Sequence, residues 1–177
     1  SILLPYKENF SNKKSGAVSL FVNDIVKNSN KKNKTFVFGK TDEKHYLDKN
    51  YINLNYSTNF FKSHSKIYIK KFLDFEKENN SDIIEVHNRP AYIDQIEKNT
   101  NSKIILYFHN DPLTMNGSKT TKERIILLTK VDHFIFNSKC NCWCSQNIIT
   151  RAQQSSFFIS AKIIQQRFKK FYFMLPK

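Results

Sequence analysis

The chain has 177 residues, of which 40% are hydrophobic and 14% are aromatic, and its formal net charge is +14. This length fits one ordinary domain, and the composition is sufficient for a buried core, which excludes intrinsic disorder for the bulk of the chain. The positive charge favours phosphates, nucleic acid or anionic membrane surfaces as partners without selecting one of them.

The start of the chain and its apolar runs predict neither a signal peptide nor a membrane anchor. No apolar run approaches the ~18 residues that a transmembrane helix needs. The first residues, SILLPYK, have no basic region and only a short apolar stretch, and they lack Met although they already have the pattern of a strand. We therefore expect a cytoplasmic protein whose N-terminus is truncated.

The first predicted elements are a strand at Ile2–Leu4 and a helix that begins at Gly16. Apolar residues after Gly16 recur at spacings of three and four, which is the pattern of a helix that packs on a core. We expect Ser15 to cap this helix and Gly16 to allow a close approach to the backbone amides. Such a helix N-terminus suits an anion or sugar hydroxyls, although a tight turn between strand and helix would explain Gly16 equally well.

Two short strands and a long helix come next. Thr35–Phe38 has the pattern of a strand, and the residues of Tyr51–Tyr56 alternate like those of an outer strand. Phe60–Asn79 is predicted as a helix with an aromatic stripe between Lys-rich faces. We interpret the stripe as core packing and the Lys residues as solvated, and contact with an anionic membrane surface is the functional alternative.

The clearest strand is Lys103–Phe108, in which an unbroken apolar run ends abruptly at polar residues. Such a run is typical of a strand buried on both faces of a parallel sheet. In the helix that follows it, we expect Ser118 or Thr120 as the cap, with Ile125, Ile126 and Leu128 facing the sheet. The other elements predicted in this half are a strand at Ile83–Val86, a helix from Pro90 to about Asn99, the helix from about Ser118 to Lys130, and a strand at Asp132–Phe136.

Strands and helices thus alternate over residues 1 to 139 with short connections. This alternation predicts an α/β fold, a doubly wound domain with a mainly parallel sheet and right-handed crossovers. Residues 140 to 177 differ in character, because they contain no Asp or Glu and hold all three Cys residues within Cys140–Cys144. We interpret this tail as atypical, frame-shifted or non-native, and assign it no function.

Polar residues follow the predicted strands at the same edge of the sheet, where ligands of such folds bind. They are Ser15 and Gly16, then His87, Asn88 and Arg89, then His109, Asn110 and Asp111. The chain has no G-x-S-x-G elbow, Walker A motif or complete G-x-G-x-x-G, which disfavours hydrolases, P-loop enzymes and dinucleotide oxidoreductases. It also lacks a recognisable cluster of metal ligands, so we expect no metal site and no cofactor.

In the order of its motifs, the chain resembles the N-terminal domain of family-4 glycosyltransferases with the GT-B fold, whose N-terminal half is Rossmann-like. Ser15–Ala17 stands where the family usually has a Gly-Gly pair, with Ser15 in place of the first Gly. Asp82–Pro90 (DIIEVHNRP) and Lys103–Asp111 (KIILYFHND) are similar to the family's two apolar strands that lead to a His. Val131–Lys139 (VDHFIFNSK) is similar to its closing strand.

The resemblance implies a transferase that moves a sugar from a nucleotide-sugar donor to a glycan or lipid-linked acceptor, with retention and without a metal. It implies that His109 is the catalytic histidine of the cleft and that Ser15 and Gly16 lie near the donor phosphates. The donor-binding C-terminal domain is missing, so we expect this fragment alone to be inactive. The implied location is cytoplasmic and peripheral to the inner membrane, where cell-envelope polysaccharide is built. The implied acceptor-binding residues are His87, Asn88, Arg89, Asn110 and Asp111.

Two alternatives stay open. One is a small basic α/β module that binds nucleic acid or anionic lipid, although the basic residues are scattered and no RNA-binding signature is present, so we expect no nucleic acid partner. The other is a different nucleotide-sugar enzyme, such as an epimerase, that shares this half of the fold.

Overall fold

The computed structural model describes residues 1–57 and 63–137, and in these ranges six strands form one sheet in which every pair is parallel. The strand order is β3-β2-β1-β4-β5-β6, which is the order of a Rossmann-like doubly wound fold. The predicted α/β fold is therefore confirmed. The strands are β1 (Ile2–Leu3), β2 (Val37–Gly39), β3 (Tyr51–Asn53), β4 (Ile83–His87), β5 (Lys103–Phe108) and β6 (His133–Phe136).

Four α-helices in the described ranges connect these strands. They are α1 (Ala17–Lys27), α2 (His64–Asn79), α3 (Ile93–Asn99) and α4 (Thr121–Lys130). Within the same ranges, no helix is long and apolar enough to cross a membrane.

The sheet separates two apolar clusters, because successive residues of a strand point to opposite faces. In β1, Leu3 belongs to the larger cluster, which packs under α2, α3 and α4. Ile2, together with Leu4 just after the strand, belongs to the smaller cluster, in which Val22 and Val26 of α1 take part. Helices thus cover both faces of the sheet, which leaves the carboxyl ends of the strands as the edge where polar loops meet.

The aromatic stripe of α2 packs in the core, as the sequence predicted. Tyr68 and Phe72 are fully buried, and the Phe72 ring meets the edge of the Phe38 ring with 5.1 Å between their centroids. The first residues of the predicted helix, 60–62, lie outside the described residues, and the described helix begins at His64. The stripe therefore holds α2 against the sheet, and it is not a binding surface.

The predicted inner face of α4 is wrong in part. Ile125 and Ile126 are 52% and 42% exposed, whereas Leu127 and Arg124 are buried. Leu128 does pack against the core. Arg124 can take an inward position because its guanidinium donates to the backbone carbonyls of Ser118 and Lys119, at 3.1 and 2.7 Å, and these bonds offset the cost of burying the charge.

The start of α4 agrees with one of the two predicted caps. The Thr120 hydroxyl accepts from the Glu123 amide, and the Glu123 carboxylate accepts from the Thr120 amide, which completes a capping box. Ser118 does not cap the helix, since its hydroxyl donates to the carbonyl of Pro112. The preceding Gly117 has a φ of +93°, and a Cβ there would lie 2.6 Å from the amide nitrogen of Ala91. Only glycine therefore lets this loop close onto the start of α3.

Candidate functional site

The strand order reverses between β1 and β4, and polar residues gather at the carboxyl ends of the strands beside this point. In doubly wound folds such a reversal opens a crevice in which ligands bind. Asn88 and Arg89 directly follow β4, and His109 directly follows β5. Since β4 pairs with β5 in parallel, with His87 opposite Tyr107, the two predicted histidines come to the same edge and the same face.

Four side chains at this edge form one hydrogen-bonded row, which we call the histidine chain: Glu85, His87, His109 and Asn137. The Glu85 Oε1 atom lies 2.7 Å from His87 Nε2, and His87 Nδ1 lies 2.8 Å from His109 Nε2. The row ends where the Asn137 side-chain amide lies 3.2 Å from His109 Nδ1. His87 is completely buried, so the chain leads from half-buried Glu85 through the protein to the sheet edge.

The proton positions in the histidine chain follow from its acceptor at one end. An ionised Glu85 carboxylate can only accept, so His87 Nε2 must carry a proton and donate it. Nδ1 of a neutral His87 then accepts from a protonated His109 Nε2, and His109 Nδ1 is left as an acceptor for the Asn137 amide. The assignment is inferred from the network. It gives His109 a fixed tautomer whose acceptor nitrogen faces the polar edge.

The surroundings of His109 keep its imidazole uncharged. The ring stacks on Tyr107 with 4.4 Å between centroids, and Phe21 of α1 meets it edge-on at 5.1 Å. Burial, and then the proximity of His87, lower the pKa of His109 from 6.5 to about 4, although the Glu85 charge acts in the opposite direction. At neutral pH His109 is therefore a hydrogen-bonding group and only a weak base.

We expect the His109 ring to titrate near pH 4, measured from its ring resonances by NMR. Because the unfolded chain binds this proton at about pH 6.5, the folded state should lose stability as the pH falls from 6.5 towards 4. The free energy of unfolding of the His109→Gln variant should fall less steeply over this range, measured by urea denaturation at several pH values. A midpoint near 6.5 for the His109 resonances would contradict the prediction.

Asn88 holds the loop after β5 in place. Its backbone is left-handed, with a φ of +52°, and its side chain is 6% exposed. The Asn88 Oδ1 atom accepts from the amides of His109 and Asn110, at 2.8 and 3.3 Å. This oxygen is therefore already engaged with the protein and sets the position of His109. The contact with a sugar-accepting substrate that the resemblance implies for Asn88 stays a prediction.

A cavity of about 740 Å³ opens beside Asn88, between the loop after β1, the starts of α2 and α3, and the loop after β5. This volume is in the range of ligand sites, about 300–1,000 Å³. Three of the predicted acceptor residues, Asn88, Arg89 and Asn110, line it. His87 does not, since it is enclosed in the histidine chain. Asp111 does not either, because its carboxylate accepts from the amide of Leu113 at 2.9 Å and closes a turn.

The N-terminus of α1 holds a carboxylate from its own chain. Glu8 Oε1 accepts from the Ser19 amide at 3.0 Å, and a Cβ at Gly16 would collide with this carboxylate. The close approach expected at Gly16 is thus confirmed. The predicted cap is wrong, because Gly16 occupies the cap position and the Ser15 hydroxyl donates to the Ser11 carbonyl. Glu8 satisfies the preference of a helix N-terminus for an anion, which is the role expected of a donor phosphate.

Sequence reasoning missed several residues of this edge. Glu85 lies two residues before His87 on one strand, so the period of a strand could have placed both on one face. Asn137 carried no such signal, because its contact with His109 depends on β6 pairing next to β5. Lys66 and Lys119 come to the cavity from helix starts far apart in the chain.

No group of three or more His, Cys, Asp and Glu side chains in residues 1–57 and 63–137 is arranged to hold a metal ion. The Cys140–Cys144 cluster lies outside the described residues, as does the whole tail from residue 140.

Fold and site together define a Rossmann-like α/β domain with an all-parallel sheet of six strands and a polar carboxyl edge. No protein-family model, curated protein or solved structure matches the chain. The class of the protein is therefore given by its fold, and its function has to be argued from the site.

Proposed function

We propose that this chain is the acceptor-side domain of a retaining glycosyltransferase built from two Rossmann-like domains. The enzyme transfers a sugar from a nucleotide-sugar donor to the hydroxyl of an acceptor. The observation that carries the proposal is His109 at the carboxyl end of β5, held by His87 at 2.8 Å, on the same edge as a cavity lined by Arg89 and Asn110. The strand order and the order of the sequence motifs support it.

In this proposal His109 orients the reacting groups and does not remove a proton itself. With a pKa of about 4, its Nδ1 atom is a weak base at neutral pH, but it can accept a hydrogen bond from a sugar hydroxyl in place of Asn137. The bond between the sugar and the donor phosphate breaks while the acceptor oxygen bonds to the sugar carbon. The acceptor proton leaves with the departing phosphate, whose charge the donor-binding domain stabilises.

The proposal requires a second α/β domain with a basic and a paired-Glu donor site. Reading the coding sequence beyond codon 139 in all three frames tests this requirement. We expect such a domain in one frame, since the composition changes abruptly at Cys140. If no frame encodes one, the transferase proposal fails.

The rival proposal of a nucleic-acid-binding module predicts a different result. Such a module would bind duplex or single-stranded nucleic acid with an affinity that falls steeply with salt, because each phosphate contact releases a counterion. Titration of the chain with nucleic acid at two salt concentrations distinguishes the nucleic-acid-binding proposal from the transferase proposal. Under the transferase proposal we expect only weak binding without sequence preference.

A further inference from the structure

The cavity beside Asn88 is positively charged on several sides. Lys66 from the start of α2, Arg89 from the start of α3 and Lys119 from the loop before α4 all line it. Among the described residues that line the cavity there is no Asp or Glu. Positive groups that face a concave site without counter-charges focus the potential and attract anions.

Two of these cations also have no carboxylate partner. Among the described residues, Lys66 and Arg89 form no salt bridge. By contrast, Lys130 pairs with both Asp94 and Glu97. Arg89 Nη1 donates to the backbone carbonyl of Asn88 at 3.0 Å, which fixes one edge of the guanidinium at the cavity wall. Among the described residues the charges of Lys66 and Arg89 therefore have no carboxylate partner, whereas Lys119 lies near the Glu123 carboxylate.

A buried hydroxyl also lies in the cavity wall. Tyr92 is 3% exposed, and its hydroxyl lies close to Ser65, Arg89 and the Tyr6 backbone, without a hydrogen bond of full geometry among the described residues. Burial raises the pKa of Tyr92, so the hydroxyl stays protonated and can donate. The hydroxyl is enclosed by these neighbours, so it belongs to the packing of the cavity wall around Arg89.

The start of α2 points a further set of donors at the same cavity. Ser63 occupies the cap position without a side-chain cap, and the first turn contains no acidic residue. Ser63, Ser65 and Lys66 line the cavity. The Lys66 amide already donates to the Ser63 carbonyl at 3.1 Å, and the helix dipole favours a negative charge beside this end of the helix.

From this geometry we propose that the cavity is a subsite for a phosphate monoester. Arg89 binds two phosphate oxygens side by side, and Lys66 and Lys119 supply charge. The inference rests on the proposed function, for which it names the acceptor class: a hydroxyl compound that carries a phosphate group. Asn110 lines the cavity and His109, the next residue towards β5, lies outside the lining against Phe21, so in this inference the acceptor extends past Asn110 to bring its hydroxyl to the sheet edge. The phosphate belongs either to a soluble sugar or polyol phosphate or to a lipid headgroup.

The test measures binding of glycerol 3-phosphate, with glycerol as the uncharged reference, to the 177-residue chain by calorimetry at constant ionic strength. We expect Arg89→Gln to weaken the binding by about 10- to 100-fold, the cost of losing charge-assisted hydrogen bonds. Lys66→Gln should weaken it by about 5- to 10-fold. Lys70→Gln removes the same charge from α2 outside the cavity and should change the affinity less than twofold.

Vesicles of phosphatidylcholine with or without phosphatidic acid distinguish the two sources. Binding of glycerol 3-phosphate that depends on Arg89 supports a soluble acceptor, and binding only to phosphatidic acid vesicles that depends on Arg89 supports a lipid headgroup. Equal losses in Arg89→Gln and Lys70→Gln, or no binding to either probe, would overturn the subsite. Sugar transfer to an acceptor without phosphate would leave the proposed function intact, whereas phosphate binding without any transfer would leave the subsite intact.

Discussion

If the proposed function holds, replacing His109 with phenylalanine in an enzyme that joins this domain to a donor-binding domain should lower turnover by about 100- to 1,000-fold, the usual cost of removing one preorganised hydrogen-bonding group from an active site. Phenylalanine can keep the stacking on Tyr107 and the edge contact with Phe21, but it leaves the buried His87 Nδ1 without its partner, so the free energy of unfolding should fall by about 1–3 kcal/mol. The loss should appear in kcat more than in KM, because the acceptor is held in the cavity by other residues. Steady-state kinetics with saturating donor measures both.

In the proposed reaction His87 and Glu85 act only through His109, which makes them positioning residues in that proposal. His87→Phe removes the acceptor of the His109 Nε2 proton, which frees the ring to take the other tautomer. We expect a loss of turnover of about 10-fold, smaller than that of His109→Phe, together with a change in the ring nitrogen shifts of His109 by NMR. Glu85→Gln should act in the same direction. The variant Lys70→Gln is the control for unrelated changes of the domain.

Wild-type turnover in His109→Phe would remove His109 from the reaction and leave the transferase proposal without its main support. A loss of turnover in His87→Phe without any change in the His109 resonances would show that His87 does not act by fixing the tautomer of His109. A fall in the free energy of unfolding of His109→Phe by more than about 3 kcal/mol would indicate damage to the fold.

The strands were predictable because burial leaves a direct mark on sequence. β5 shows this well, since Ile104, Leu106 and Phe108 face the large cluster and Tyr107 is buried on the other face. The position of His109 at the end of that strand follows at once, as does its closeness to the end of β4 once a parallel sheet is assumed.

Other parts of the site depend on contacts that no local pattern records. Glu8 reaches the N-terminus of α1 from a loop, so the sequence around Gly16 could suggest an anion there but not its source. Arg124 is buried because two carbonyls of the preceding loop accept from its guanidinium, and this is one reason why the expected inner face of α4 was wrong in part. The pairing of His87 with His109 required the register of β4 and β5, which the turn lengths alone do not determine.

The left-handed backbone of Asn88 is another such feature, and it leads to the largest stability effect that we expect. Asn88→Ala should lower the free energy of unfolding by about 2–4 kcal/mol. About 1 kcal/mol comes from forcing alanine into the left-handed region, and the rest comes from the His109 and Asn110 amides, which lose their shared acceptor. Urea denaturation followed by circular dichroism measures the change.

Asn80 provides a matched control within the same chain, because it is the other non-glycine residue with a positive φ among the described residues, at +47°. Asn80 ends α2 and is exposed, so Asn80→Ala should cost only the conformational part, about 1 kcal/mol. Asn88→Gly removes the strain but not the loss of the acceptor, and Asn88→Asp keeps an acceptor oxygen. We therefore expect the variant with Asp at position 88 to be the most stable of the three, followed by the Gly variant and then the Ala variant. If Asn88→Ala costs no more than Asn80→Ala, the side chain of Asn88 does not hold the loop, and His109 must owe its position to the histidine chain alone.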